Sequence, residues 1–154
     1  MSGQQPFLLA AGGTGGHLFP AMSLAAVLVA RGERVMLATD ERVRQHGADF
    51  PAEAVFVIRS ATFKSRMPWA LARTLWQLCA GFVQSFALLR RVRPCAVIGF
   101  GGYPSVPPLV AAILLGIPAI IHEQNGVLGR ANAFLARFVR GIGTGLAQVK
   151  GING

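Results

Sequence analysis

The chain has 154 residues, 53% of them hydrophobic and 14% charged, so it is too apolar for disorder and long enough for one packed core, as one domain or as half of a two-domain enzyme. Its two cysteines, Cys79 and Cys95, lie in apolar contexts without CxxC spacing; they read as buried small side chains rather than as a disulfide framework or a zinc site. The net charge is +9 and unevenly placed: through Glu53 there are five acids and four bases, and beyond it Glu123 is the only acid among eleven bases.

Residues 7–11 form a short apolar run ending in Gly12-Gly13, a buried strand. Residues 20–30 follow as a helix, with Pro20 in its first turn and Gly32 ending it. Residues 35–39 are a second strand, 40–46 a short helix or turn, 55–58 a third strand, and 60–68 a polar, basic loop. A long helix spans 69–92 and stops at Pro94. Residues 96–100 are a fourth strand, 105–115 a helix, 118–122 a fifth strand, 128–138 a helix and 141–144 a weak sixth strand. The glycine-rich tail, 141–154, is expected to be a linker or truncated end, with 1–140 forming the domain. Strands alternating with helices, and apolar throughout, predict an α/β fold with a doubly wound parallel, Rossmann-like sheet. Such sheets bind ligands at the carboxyl ends of their strands.

The apolar stretch 69–89 is interrupted by Arg73, Gln77 and Gln84, and 106–121 by three prolines, so neither predicts a membrane span. Residues 1–5 lack a basic segment before an apolar one, so no secretory leader is expected. The cationic half suits nucleic acid, anionic lipid headgroups or an acidic second domain. A nucleic-acid surface would need more lysine with interleaved aromatics, and no nucleic-acid partner is expected.

Three loops carry the chemistry. Gly12-Gly13-Thr14-Gly15-Gly16-His17 lets the backbone approach a ligand and opens a helix whose free amides suit pyrophosphate. His17 is either a general base facing the crevice or a structural histidine bonding the loop. The glycine spacing departs from GxGxxG; Asp40, at the end of the second strand, is where a dinucleotide fold keeps its ribose acid, which leaves a nicotinamide oxidoreductase as a rival reading. The second loop is Gly99-Phe100-Gly101-Gly102-Tyr103-Pro104-Ser105, with Ser105 placed to cap the following helix. The third is His122-Glu123-Gln124-Asn125-Gly126. Glu123 reads as a base, a sugar-hydroxyl acceptor, a ring-orienting partner or an ion pair with a residue such as Arg130, and Asn132 is spaced to face the same crevice.

In the long helix, Leu71, Leu75, Leu78, Cys79, Phe82, Phe86 and Leu89 share one predicted core face. Trp69, Arg73, Trp76, Ala80 and Val83 form a separate stripe, with Lys64 and Arg66 just upstream. Tryptophans beside cations and away from the core fit a membrane-surface contact, or else cap the edge of the core.

GGTGGH, GFGGYPSVP and HEQNG, in this order and spacing, resemble the N-terminal half of the MurG family of bacterial glycosyltransferases over residues 7–138. The resemblance implies a GT-B fold of two Rossmann-like domains, of which this chain is expected to hold the first and to lack the C-terminal donor domain. It implies inverting transfer of N-acetylglucosamine from UDP-GlcNAc to lipid I (undecaprenyl-pyrophosphoryl-MurNAc-pentapeptide), making lipid II at the cytoplasmic face of the bacterial inner membrane. It places Thr14, Gly15, Gly16 and Asn125 at the donor, and the glycine loops with Gly101, Gly102, Tyr103, Ser105 and Asn132 around the acceptor pyrophosphate and cleft. His17 or Glu123 would be the base. No DxD pair is present, so no cofactor or metal is expected. A non-catalytic acceptor-binding or membrane-anchoring subunit, paired with a separate donor-binding chain, is the alternative.

Overall fold

The computed structural model describes residues 4–43, 49–61 and 67–152. Its elements are β1 (Phe7–Ala10), α1 (Gly15–Ala30), β2 (Val35–Thr39), β3 (Ala54–Val57), α2 (Pro68–Val92), β4 (Ala96–Gly99), a 3-10 turn (Tyr103–Ser105), α3 (Val106–Leu114), β5 (Ala119–Glu123), α4 (Arg130–Leu135) and β6 (Gly141–Thr144). The six strands are parallel in the order β3-β2-β1-β4-β5-β6, the doubly wound arrangement expected from the alternation of strands and helices.

Period-two alternation divides the strands between two cores. Leu9, Leu37, Ile98 and Phe100 pack with Leu18, Ala21 and Ala25 of α1. Leu8, Ala10, Val97, Ala119 and Ile121 pack with Leu88 and Leu89 of α2, Leu109 of α3 and Leu135 of α4. Over the central strands both sheet faces are covered, which is why these strands carry almost no polar side chains, while Val55 and Val57 of the edge strand β3 are exposed.

Several boundaries move. α1 begins at Gly15 and takes Pro20 inside it, because Thr14 is already extended and ends the loop. Gly32, at φ +80°, closes that helix as expected. α2 ends where Arg93 turns left-handed before Pro94. The final helix shrinks to six residues. β6 joins the sheet beside β5, and the segment after it folds back, with Lys150 bonding Gly126 and Leu128. Of the short helix or turn expected at 40–46, Glu41 and Arg42 form a turn and 44–46 lie outside the described residues.

The largest correction concerns α2. Its buried residues are Thr74, Gly81, Ser85, Leu88 and Leu89, while Leu71, Leu75 and Cys79, assigned to the core, are exposed. Cys95 is half-buried. The cause is close approach: a side-chain carbon on Gly81 would run into the carbonyl oxygen of Arg59 and press on Pro107. Small residues bring the helix down onto its neighbours; Leu89 is buried and Phe82 and Phe86 pack against the core as expected, while the N-terminal part of the predicted face, from Leu71 to Leu75, lies open. Gly81→Ala is therefore expected to destabilise the fold by about 3 kcal/mol, the upper range for overpacking, read as a lower urea midpoint at unchanged slope. A midpoint equal to the parent's would refute this packing.

Candidate active site

β1 and β4 are neighbours at the centre of the sheet, so the loops that follow them lie side by side at its carboxyl edge. Gly12 donates to the Gly101 carbonyl across the gap at 3.4 Å. Gly101 and Gly102 have φ of +90° and +76°, left-handed values that admit glycine at little cost. Gly13 is needed for another reason: a carbon added there would lie 2.7 Å from Asp40 Oδ1 and 2.5 Å from the Val43 nitrogen. The Thr14 side chain makes no cap bond, so the first amides of α1 remain at an open helix end. Thr14 and Gly16 are exposed, and a carbon on Gly16 would meet nothing within 4 Å.

His17 lies against this glycine floor. Side-chain carbons at Gly101, Gly102 and Gly12 would fall 3.2, 3.3 and 3.5 Å from its ring atoms, so the bare backbone sets the ring's position. Its Nδ1 is 2.9 Å from the Phe100 carbonyl oxygen and 2.8 Å from Gln124 Nε2. A carbonyl only accepts, so Nδ1 carries the proton. The Gln124 amide, turned over about its last bond, then presents its buried, unpartnered oxygen to the same proton in place of its NH2 group. Nε2 is then the unprotonated nitrogen, and no described residue bonds it.

Glu123 has a different environment. Its Oε1 accepts from the backbone and side-chain amides of Asn125, at 3.0 and 2.9 Å. Its Oε2 accepts from the Gly129 amide and from Asn132 Nδ2, both at 2.9 Å. Glu123 is 2% exposed. Burial pushes the carboxyl up, but the Gly129 and Asn125 amides and the Asn132 and Asn125 side chains outweigh it and hold it below its ordinary range. A carboxylate offers about four acceptor positions, and all four are filled. Glu123 therefore organises the third loop instead of facing the crevice as a base, and the Arg130 ion pair weighed for it is replaced by these amides.

Two further expectations are corrected. Ser105 is fully buried and donates to the Gly102 carbonyl at 2.8 Å, making no cap bond to α3. Asn132, 2% exposed, is turned onto Glu123 and the His122 carbonyl. Both brace loops. Tyr103 is half-buried and Asn125 exposed, with Asn125 tied to Glu123 through its amide nitrogen. Asp40 pairs with Arg42 and faces the Gly13 amide, which occupies the carboxylate that the nicotinamide reading assigned to a ribose. Sequence reasoning gave no role to Gln124 or Arg42. Strand alternation was the available signal for Gln124: Ile120, His122 and Gln124 fall on the α1 side, and Glu123 on the side of α4.

On α2, Trp69 and Trp76 are 68% and 69% exposed, so neither caps the core's edge. Arg73 is also exposed, and Leu75 and Val83 extend the same open surface. Lys64 and Arg66 lie outside the described residues. Among the described residues no helix is long and apolar enough to cross a membrane.

This is a doubly wound, Rossmann-like α/β domain, with its switch point between β1 and β4. Residues 7–144 match the glycosyltransferase family 28 N-terminal domain, and the chain belongs to that family. It is 54% identical, over 145 residues, to a UDP-N-acetylglucosamine–N-acetylmuramyl-(pentapeptide) pyrophosphoryl-undecaprenol N-acetylglucosamine transferase of Methylorubrum populi, covering 94% of this chain and 39% of that protein. The protein of the same name from Rhodopseudomonas palustris is 54% identical over 138 residues, 90% of this chain and 38% of its own length. The chain thus spans about two-fifths of the length of these curated relatives. The crystal structure of Acinetobacter baumannii MurG superposes with a TM-score of 0.78 at 27% identity, over 96% of this chain and 43% of that one. The glycosyltransferase SnogD of Streptomyces nogalater shares the fold, with a TM-score of 0.62 at 16% identity, over 92% and 43% of the two chains.

The Glu123 network has a pH signature. A carboxyl whose folded pKa is depressed contributes stability that is present above its unfolded value, near 4.5, and lost as pH falls through the folded value. Urea unfolding at pH 7 and at steps below 4.5 should show this loss in the parent. Glu123→Gln should cost about 2 kcal/mol at pH 7, because its amide group faces donors, and should reduce the acid-side loss, leaving the share that Asp40 and Glu53 contribute. An equally steep acid limb in the variant would show that the depressed carboxyl lies elsewhere.

Proposed function

We propose that the chain is the acceptor-binding half of an inverting N-acetylglucosaminyltransferase that moves N-acetylglucosamine from UDP-GlcNAc to lipid I, forming lipid II. The observation that carries this reading is the His17 Nε2, bonded by no described residue, on the floor of two facing glycine loops, in a chain 54% identical to transferases named for that reaction. Nε2 takes the proton from the acceptor's sugar hydroxyl. The oxygen attacks the anomeric carbon from the face opposite the leaving group, the bond to the diphosphate breaks, and UDP departs with the electron pair. The ring needs no tautomer change to begin, since Nδ1–H is already committed to the Phe100 carbonyl. The open amides at Gly15 and Gly16 and the loop Gly101–Gly102 suit the phosphates, with Thr14, Tyr103 and Asn125 at the rim. Most of the donor pocket belongs to a second domain in this reading.

A transfer assay with labelled UDP-GlcNAc and a lipid I analogue, with and without an added C-terminal half, tests the proposal. The chain alone is expected to bind the analogue without turnover, and the reconstituted pair to transfer sugar. His17→Gln should lower kcat about 10²-fold while leaving the binding of the analogue near the parent's. A variant with the parent's kcat would remove His17 from the base's role.

The exposed α2 face supports peripheral attachment to an anionic membrane surface, which in this reading is the cytoplasmic face of the inner membrane where lipid I resides. Each basic residue near such a surface adds about 1 kcal/mol, and the attraction shrinks as the Debye length falls from about 10 Å at 0.1 M salt to about 3 Å at 1 M. Co-sedimentation with anionic vesicles should therefore weaken with salt and fall in Lys64→Ala/Arg66→Ala/Arg73→Ala. Trp69→Ala/Trp76→Ala should remove the part that salt leaves. If both variants sediment like the parent, this helix faces something other than a membrane.

A further inference from the structure

Among the described residues, the two glycine loops themselves carry no full positive charge. A helix N-terminus offers about half an elementary charge, and His17 must stay neutral to accept a proton, whereas a pyrophosphate arrives with more than one negative charge. Arg42 lies at the lip of this crevice. A side-chain carbon at Gly12 would meet three groups: the His17 ring at 3.5 Å, Arg42 Nη2 at 3.8 Å and the Gly101 carbonyl oxygen at 3.9 Å. Gly12 is thus the point on which the first loop, the second loop, the imidazole and the guanidinium converge.

The guanidinium is latched in that place. Asp40, 8% exposed, accepts Arg42 Nε–H at 3.1 Å on both oxygens and an Nη2–H on one, and also takes the Arg42 backbone amide at 2.9 Å. The Gly13 amide faces the same carboxylate. Asp40 therefore couples the position of Arg42 to that of the glycine loop. Two of the five guanidinium N–H groups are used, and no described residue takes the other three. The Arg42 side chain is 55% exposed, so the free edge is open to solvent while its base is held. A planar fork so oriented matches the oxygens of a phosphate.

We propose that Arg42 is the phosphate-reading residue of this crevice, a guanidinium held by the positioning residue Asp40 above Gly12 to bind an oxygen of the incoming pyrophosphate. The inference rests on the reading of the glycine loops as a phosphate cradle. The pyrophosphate belongs to the acceptor lipid or to the nucleotide sugar, which share this chemistry.

The test is amide NMR of the 154-residue chain titrated separately with inorganic pyrophosphate, UDP and geranyl pyrophosphate. In the parent, the amides of Gly12, Gly13, Gly15, Gly16 and Gly101 should shift. Arg42→Gln should raise Kd about tenfold or more and flatten its dependence on salt, because a released counterion is lost with the charge. Arg42→Lys, which keeps the charge without the fork, should fall between. An effect confined to UDP assigns the contact to the donor and one confined to geranyl pyrophosphate to the acceptor; either supports the proposal. If Arg42→Gln binds all three like the parent, with only its melting temperature lowered, Arg42 is a latch of the loop and the proposal fails while the cradle stands. If the parent's loop amides respond to none of the three, the cradle reading fails and takes the proposal with it.

Discussion

Where β1 and β4 pair, the chain's two halves meet, and the rest of the molecule is arranged around that seam. The register Phe7↔Ala96 through Ala10↔Gly99 brings two glycine runs, some ninety residues apart in sequence, out of the sheet at the same level. The Phe100 amide donates to the Ala10 carbonyl at 2.8 Å and closes the seam at its ligand end, while the Phe100 carbonyl holds His17. One residue thus joins the sheet, the second loop and the imidazole. The glycines at the seam have no side chains to define the loops' shape. The backbone is held by the strands beneath it, by Asp40 against Gly13, and by Ser105 against Gly102.

The third loop follows a different principle. A carboxylate taken out of water is costly unless its oxygens are bonded, and four amide hydrogens do this for Glu123. The result is a rigid corner linking the end of β5 to the start of α4. Because successive residues on a strand point to opposite faces, fixing Glu123 on the α4 side fixes Gln124 on the α1 side, against His17. The lone acid of the basic half thus stabilises the loop whose next residue orients the proposed base. Its charge is confined to this internal role, which leaves the exposed surface of that half almost purely cationic.

The helix α2 shows how close packing redirects a sequence pattern. By hydrophobicity alone, the leucines and phenylalanines define the inner face. In the fold, Leu88, Leu89, Phe82 and Phe86 do pack inward, but Gly81 meets the backbone at Arg59 and Thr74 and Ser85 join it inside, while Leu71, Leu75, Trp69, Trp76 and Val83 stay in solvent. These exposed apolar residues share the helix with exposed Arg73. The same rotation leaves Cys79 exposed rather than buried.

The sequence by itself determined the order and type of the elements, the parallel sheet and the location of the crevice. Those follow from local physics: uniformly apolar strands, glycine and proline punctuation, and the rule that doubly wound sheets bind at their strand ends. It also marked His17 and the three loops, because glycine runs and polar residues at the ends of apolar strands stand out in composition. Which polar group faces outward was decided only in three dimensions. Glu123 and Asn132 satisfy each other beneath the loop, Ser105 turns onto a carbonyl, Asp40 takes Arg42, and Gln124 reaches His17 from more than a hundred residues away. Each outcome depends on which partner lies within about 3 Å after the sheet has formed, and hydrogen-bond distances of that kind between remote segments are not encoded in the spacing of residues along a chain.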